Sequence, residues 1–390
     1  MSARRKGKIL LISRSIPPAV GGTSVVVGNL AKQFHRHEMV LIGEWSPGPK
    51  SEWREDWPEL IYSLKALHRL PRRKQLQRLM LPFLFPLLLL RILRVARNHG
   101  CKNIIVIYPT ELFLLVGYLV ANLTNASFYP YFLNLYVQNS KGLARRFARW
   151  FQPRVFRRAK HVFVMNEGMQ NCYRKSYPEL VNCSPLVHSF SEPTPVYIPP
   201  PTPSDLTHFM MIGSINEGCR DAAQRMWSAL KGLSDIRLTL HTNQPRHVLE
   251  KWGFLGENVR LSSANVSADL LRNRLQEADF VLLPHGFQGA YSKEEYQTGF
   301  PTRTIDYLLC GRPILAHSPP GAFLTQFLKH HKCALVVEEP SESAFFVAVK
   351  RLREDAQLRE GLVRNALKTA DVMFQASTVA DDLVAILSKD

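Results

Sequence analysis

The chain has 390 residues, 46% hydrophobic and 21% charged, a globular composition too long for one ordinary core and free of low-complexity or solenoid repeats. Its net charge of +18 is one-sided: the first 200 residues hold 29 of the 50 Lys and Arg but 10 of the 32 Asp and Glu, an excess of +19, whereas the remainder balances 21 against 22. Such asymmetry points the first half toward something anionic, nucleic acid or a membrane surface. Six scattered cysteines without a CxxC pair argue against a zinc site or a disulfide framework and suit a reducing compartment.

The N-terminus, MSARRKGKILLIS, is basic, but its apolar run is short and reads as a buried first strand over 8–13, not a secretory signal. A loop, RSIPPAVGGTS, leads to a helix over 24–36, then a strand over 39–43. Paired glycines before that helix let backbone approach a ligand and leave helix N–H groups for an anion, although the loop is neither GxGxxG nor a P-loop. Residues 79–97, LMLPFLFPLLLLRILRVAR, are the most apolar stretch. Pro82, Pro86 and Arg91 make it a poor membrane span. It reads either as a buried helix or as an interfacial helix, flanked by Arg69, Arg72, Arg73, Lys74 and Arg78 before it and ended by Arg91, Arg94 and Arg97.

Strand 103–108, helix 111–122, strand 127–133, a basic helix over 141–158 and strand 161–165 complete the first half. The run PLVHSFSEPTPVYIPPPTP, between Pro185 and Pro203, excludes helix and central strand and marks a linker. The second half opens again with a strand, 208–213, and a glycine-containing loop, Gly213-Ser214-Ile215-Asn216-Glu217-Gly218. Helices at 220–232, 245–252 and 267–276 alternate with strands at 236–242, 258–261 and 279–283. A long polar loop, HGFQGAYSKEEYQTG, precedes helix 302–310 and strand 313–316; strand 333–337 and two helices follow. Alternation throughout predicts α/β architecture with two Rossmann-like domains facing across a cleft at the carboxyl ends of their strands. The expected divisions are 1–190 for the first domain, 191–206 for the linker, 207–372 for the second domain and 373–390 for a terminal helix.

Within GFPTRTIDYLLCGRPILAH, residues 299–317, a helix begins just after Pro301. Arg303 stands in its first turn, where the dipole disfavours a cation unless an anion is near, and Asp306 lies on the same side as Thr302 and Arg303. By themselves Arg303 and Asp306 read as a surface pair and Gly311-Arg312-Pro313 as a helix stop.

This stretch resembles the F-P-x-K/R-x-x-E/D-Y-L-x-x-G-K/R-P-x-L-A signature of GT-B glycosyltransferases, in particular those around family 4 (group 1). RRAKHVFVMNEGMQNCYRKSY, LLRNRLQEADFVLLP and ASTVADDLVAILSKD are similar to other pieces of that family in the same order, over nearly the whole chain. The resemblance implies transfer of a sugar from a nucleotide-diphosphate donor to a lipid-linked or polysaccharide acceptor, retaining and without metal or other cofactor. It also implies that the first domain binds the acceptor, that the second binds the nucleotide sugar and that the terminal helix packs back on the first. No D-x-D occurs, so dipoles and arginines would neutralise the diphosphate. It assigns Asp306 to the ribose, Arg303 to the diphosphate, and Gly299, Phe300, Pro301 and Thr302 to the phosphate cradle. Gly22, Gly213 and Ser214 fall in the loops flanking the donor, Asn265 and Val266 near the base, and Arg220 at a second cationic position. Thr298 stands where many relatives carry a glutamate; Glu294 and Glu295 are near but off register. Asn134 stands where an Asp is common, and no catalytic residue is assigned. The implied location is cytoplasmic, peripheral on the inner face of the cell membrane through the basic first domain. A nucleotide-sugar epimerase of the same fold and a non-catalytic nucleic-acid-binding protein are the competing readings; no nucleic-acid-binding motif appears.

Overall fold

The computed structural model describes residues 7–19, 21–44, 53–63, 74–191, 193–203, 205–264, 266 and 268–389. The chain divides into two units: Met1–Ser191 together with Ala376–Asp390, and Glu192–Gln375. The described part of 191–206 carries neither helix nor strand.

The first unit is built on strands β1 (Lys8–Ser15), β2 (Met39–Glu44), β3 (Glu59–Tyr62), β4 (Cys101–Tyr108), β5 (Ser127–Phe132), β6 (Val162–Val164) and β7 (Cys183–Pro185). They form one parallel sheet in the order β3-β2-β1-β4-β5-β6-β7. Runs such as ILLI in β1 and IIVI in β4 are apolar at every position because both sheet faces are covered. On one face Ile9, Leu11, Ile105, Ile107 and Tyr131 pack under helices Gly22–Ala31 and Ala376–Leu387. The terminal helix thus belongs to the first unit's core through Val379, Ala380, Leu383 and Leu387.

On the other face lie helices Lys74–Asn98, Glu111–Thr124 and Gly142–Arg158. Gly117 of the middle helix rests on β4 so closely that a Cβ there would meet Val106 Cγ2 at 2.2 Å. The third helix reaches the same face by Phe156 against Phe132, ring centroids 5.7 Å apart, and leans on the middle helix by Phe151 against Tyr118 at 5.3 Å. The apolar stretch 79–97 lies in one helix, with Pro82 and Pro86 inside it. Leu84, Leu88, Ile92 and Val95 form its buried stripe, while Leu87 and Leu90 face solvent. The reading as a buried helix therefore holds for one stripe of it, and the opposite stripe faces solvent. Arg69, Arg72 and Arg73 lie outside the described residues. Among the described residues no helix is long and apolar enough to cross a membrane.

The second unit carries β8 (Thr207–Ile212), β9 (Ile236–His241), β10 (Val259–Ser262), β11 (Phe280–Pro284), β12 (Ile314–His317) and β13 (Leu335–Val337), all parallel, in the order β10-β9-β8-β11-β12-β13. Chain order reverses between β8 and β11, so the loops leaving those two strands flank the sheet's switch point, where ligands of open α/β sheets bind. In the first unit the equivalent point is between β1 and β4.

Several features differ from the sequence reading, among them the edge strands β3 and β7, which that reading did not anticipate. The polar segment after β11 is not a plain loop: it contains helix Lys293–Thr298. Ser292 caps it by accepting from the Glu295 N–H at 3.2 Å, and Ser-x-x-Glu is itself a helix-start pattern. The chain also ends in more helices than two: Phe323–His330 precedes β13, and Glu342–Glu354, Ala356–Met373 and Ala376–Leu387 follow it.

Candidate active site

Gly213 ends β8 at φ 82, a left-handed conformation that glycine adopts at no steric cost, and turns the chain across the sheet edge. Its N–H donates to the His241 carbonyl at 2.9 Å. The next peptide is held by Gln244, which accepts from the Ile215 N–H at 2.7 Å and donates to the Ile215 carbonyl at 2.8 Å. The loop after the first strand of this unit is therefore fixed from both sides.

Helix Arg303–Leu309 is tied to the same strand. Tyr307, fully buried, accepts from the Ile212 N–H at 2.9 Å, and burial pushes its phenol pKa above the usual range. One turn earlier, Arg303 crosses to the Gly213 loop. Its Nη2 donates to the Ser214 carbonyl at 2.6 Å, and a Cβ on Gly213 would touch its Cζ at 3.5 Å. Its Nη1 is buried with no hydrogen-bond partner. A buried guanidinium N–H left unpaired costs stability unless an acceptor arrives. Asp306 lies half-buried one turn further along the helix, whose N-cap Thr302 makes no capping hydrogen bond from its side chain. Gly213, Ser214 and Arg303 are thus brought into direct contact, with Asp306 on the same helix.

The segment after β11 is braced separately. His285 Nε2 donates to the Tyr296 carbonyl at 2.6 Å, and Gly286 N–H donates to the Gly218 carbonyl at 2.8 Å. Asp221 Oδ2 accepts from the Phe287 and Gln288 N–H groups at 3.1 and 3.3 Å and from Arg225 Nη2 at 2.9 Å. Arg225 Nε donates to His317 Nε2 at 3.1 Å, so the His317 proton resides on Nδ1 and donates to the Val337 carbonyl at 2.9 Å. Burial and the nearby Arg225 charge hold His317 down at about 4, neutral. The guanidinium of Arg225 also lies over the Phe287 ring, 4.6 Å from its centroid. This network joins the loops of β8, β11 and β12, and sequence reasoning missed it. Its one legible trace is the i,i+4 spacing of Asp221 and Arg225.

The remaining expected residues fall as follows. Arg220 pairs with Glu217 at 2.8 Å and lies over the Trp252 ring, so its charge is already matched. Glu294 is exposed and Glu295 buried on helix Lys293–Thr298. Thr298 turns its hydroxyl to the Glu294 carbonyl at 2.9 Å. Gly299 is needed for space: a Cβ would stand 2.9 Å from His285 Cε1. Phe300 is a core anchor, its ring 5.1 Å from Phe327 and 6.0 Å from Phe374, so residues 299–302 can offer a ligand main chain more than side chains. Pro301 is half-buried, as is Val266; Asn265 lies outside the described residues. Gly22 opens helix Gly22–Ala31 at the switch point of the first unit. Among the described residues no group of three or more His, Cys, Asp or Glu is arranged to hold a metal ion.

No protein-family model and no curated protein matches the sequence. Solved structures do. A sucrose-phosphate synthase from Thermosynechococcus elongatus shares 15% identity with a TM-score of 0.73, each chain covered to 98%. Anabaena HepE, in complex with UDP and glucose, shares 16% at TM-score 0.70, over 99% of this chain and all of that one. A glycosyltransferase from Rickettsia africae shares 14% at TM-score 0.68, over 98% of this chain and all of that one. The architecture is thus the two-domain, Rossmann-like GT-B fold, with the terminal helix returned to the first domain.

Proposed function

We propose that the protein is a glycosyltransferase that takes a sugar from a nucleotide-diphosphate donor bound by the second unit. The observation that carries this reading is Arg303: a half-buried cation at the switch point, held at Nη2 by the Ser214 carbonyl and with a buried, unpaired Nη1. A diphosphate oxygen at Nη1 would complete it with a charge-assisted hydrogen bond. Asp306, one helical turn away, is the acceptor for ribose hydroxyls, and the main chain of Gly299–Thr302 lines the phosphates. Glu294, whose carboxylate is exposed, is better placed than Glu295 or Thr298 for hydroxyls of the donor sugar. That HepE of the same fold was solved with UDP and glucose supports a donor of this chemical class.

The reaction is retaining and needs no metal. The glycosidic C–O bond to the diphosphate breaks, and the leaving phosphate oxygen takes the proton of the acceptor hydroxyl as the new C–O bond forms on the same face. Arg303 offsets the charge that develops on that oxygen. The acceptor is a lipid-linked sugar or a growing polysaccharide at the inner face of the cell membrane, a placement supported by the excess charge of the first unit.

The test is a thermal-shift panel of UDP, GDP, ADP and CDP and their sugars. Saturating the right nucleotide at a hundred times its Kd should stabilise by about 2.7 kcal/mol. Failure of every nucleotide diphosphate to raise Tm overturns the proposal, and release of a free epimer without acceptor replaces it with epimerisation. The anomeric configuration of the product, read by NMR, tests retention.

A further inference from the structure

Of the three helices that cover the second face of the first unit's sheet, two share an unusual composition. Lys74–Asn98 carries five Lys and Arg, Gly142–Arg158 carries six, and neither has an Asp or Glu; the single acid of the layer is Glu111. The apolar side chains of this layer are also out of place. Of the seven large hydrophobic residues exposed in the first unit among the described residues, five lie on these helices. Leu143 is 81% exposed, Leu90 59%, Leu87 54% and Trp150 52%. Exposed arginines accompany them, with Arg91 and Arg94 beside Leu87 and Leu90, and Arg145 and Arg149 between Leu143 and Trp150. Arg154 lies over the Trp150 ring at 4.1 Å.

We propose that this three-helix face is a docking surface for an anionic lipid bilayer, with Leu143 and Trp150 entering the headgroup boundary and the arginines meeting lipid phosphates. Charge complementarity selects an anionic partner. The choice of a bilayer over a nucleic acid rests on the leucines. Exposed aliphatic side chains gain from hydrocarbon but have neither a ring for base stacking nor a donor for phosphate. Tryptophan with a guanidinium over its ring is suited to a boundary that is wet on one side and apolar on the other. The assignment deepens the peripheral-membrane part of the proposed function and depends on it in nothing else, since it uses the first unit alone.

The experiment is co-flotation of the full chain with vesicles of phosphatidylcholine, or of phosphatidylcholine with phosphatidylglycerol, over a salt series. Wild type should float with the anionic vesicles only and come off as salt rises. Reversing Arg145→Glu and Arg149→Glu together should weaken binding by about thirtyfold or more, at roughly fivefold for each arginine. Trp150→Ser should weaken it while leaving its salt dependence unchanged. Unchanged nucleotide binding and circular dichroism in these variants show that the fold is intact. Equal binding to both vesicle types, no response to the arginine reversal, or tighter binding to duplex DNA than to anionic vesicles in the same salt overturns the proposal. Wild type that binds vesicles but no nucleotide diphosphate overturns the donor reading and leaves this surface standing.

Discussion

Replacing Arg303 by Ala separates ligand binding from folding. In the free protein the guanidinium gains one hydrogen bond to the Ser214 carbonyl at 2.6 Å and leaves Nη1 buried and unpaired. A hydrogen bond contributes about 1 kcal/mol net, and a buried unsatisfied donor costs about 1–3 kcal/mol. Removing both should therefore leave the stability of the free protein within about 1 kcal/mol of wild type. With a diphosphate bound, Nη1 gains a charge-assisted bond of about 1.5–3 kcal/mol. Arg303→Ala should accordingly weaken nucleoside diphosphate binding by about ten- to hundredfold. Calorimetric titration with a nucleoside diphosphate and with its parent nucleoside distinguishes the cause: only the diphosphate should lose affinity. Arg303→Lys should restore part of the loss, because an ammonium keeps the charge without the planar fork. Equal losses for diphosphate and nucleoside, or no loss for the diphosphate, would refute the assignment of Arg303 to phosphate.

Asp221→Ala removes the acceptor of the Phe287 and Gln288 N–H groups and the partner of Arg225, so hydrogen exchange at amides 287 and 288 should speed up well before global unfolding; unchanged protection there would dismiss the brace. Gly117→Ala places a methyl 2.2 Å from Val106 Cγ2 and should destabilise the first unit by about 1–3 kcal/mol in urea unfolding, with Gly117→Ala/Val106→Ala partly relieving it. Buried His188, His241 and His317 are each held down to about 4 from 6.5, chiefly by desolvation. Between those values the unfolded chain takes protons that the folded chain refuses, so stability is full above pH 6.5 and falls as pH drops toward 4, by on the order of 3 kcal/mol per ring. His188→Gln should flatten that slope in unfolding curves between pH 7 and 4, and an unchanged slope would count against the buried neutral ring.

Much of the fold was legible because its signals are local. Apolar runs such as ILLI at β1, IIVI at β4 and FVLL at β11 announce strands covered on both faces, and the prolines between 185 and 203 announce the seam. The start of helix Arg303–Leu309 was readable from Pro301 to within a residue. Helix Lys293–Thr298 was readable too, from Ser292 and Glu295, but its polar, glycine-flanked surroundings outweighed a helix of less than two turns. The segment 79–97 shows the limit of composition: the sequence contains both leucine stripes, and packing on helix Glu111–Thr124 and β4 selects which one is buried.

For the site, the chain itself determined that Arg303 and Asp306 would share a helix face, since i,i+3 spacing follows from the helical repeat. It did not determine what Arg303 meets. Ser214 is 89 residues away, Tyr307 reaches Ile212 across 95, and Arg225 reaches His317 across 92. Those meetings follow from the placement of β8 beside β11 and of β12 beyond it, which brings the loops of three strands to one sheet edge. Backbone preference and hydrophobic period act between neighbours in sequence and can be read there. The Ser214 carbonyl and the Arg303 guanidinium acquire meaning only when sheet order joins Nη2 to that carbonyl at 2.6 Å and leaves Nη1 without a partner.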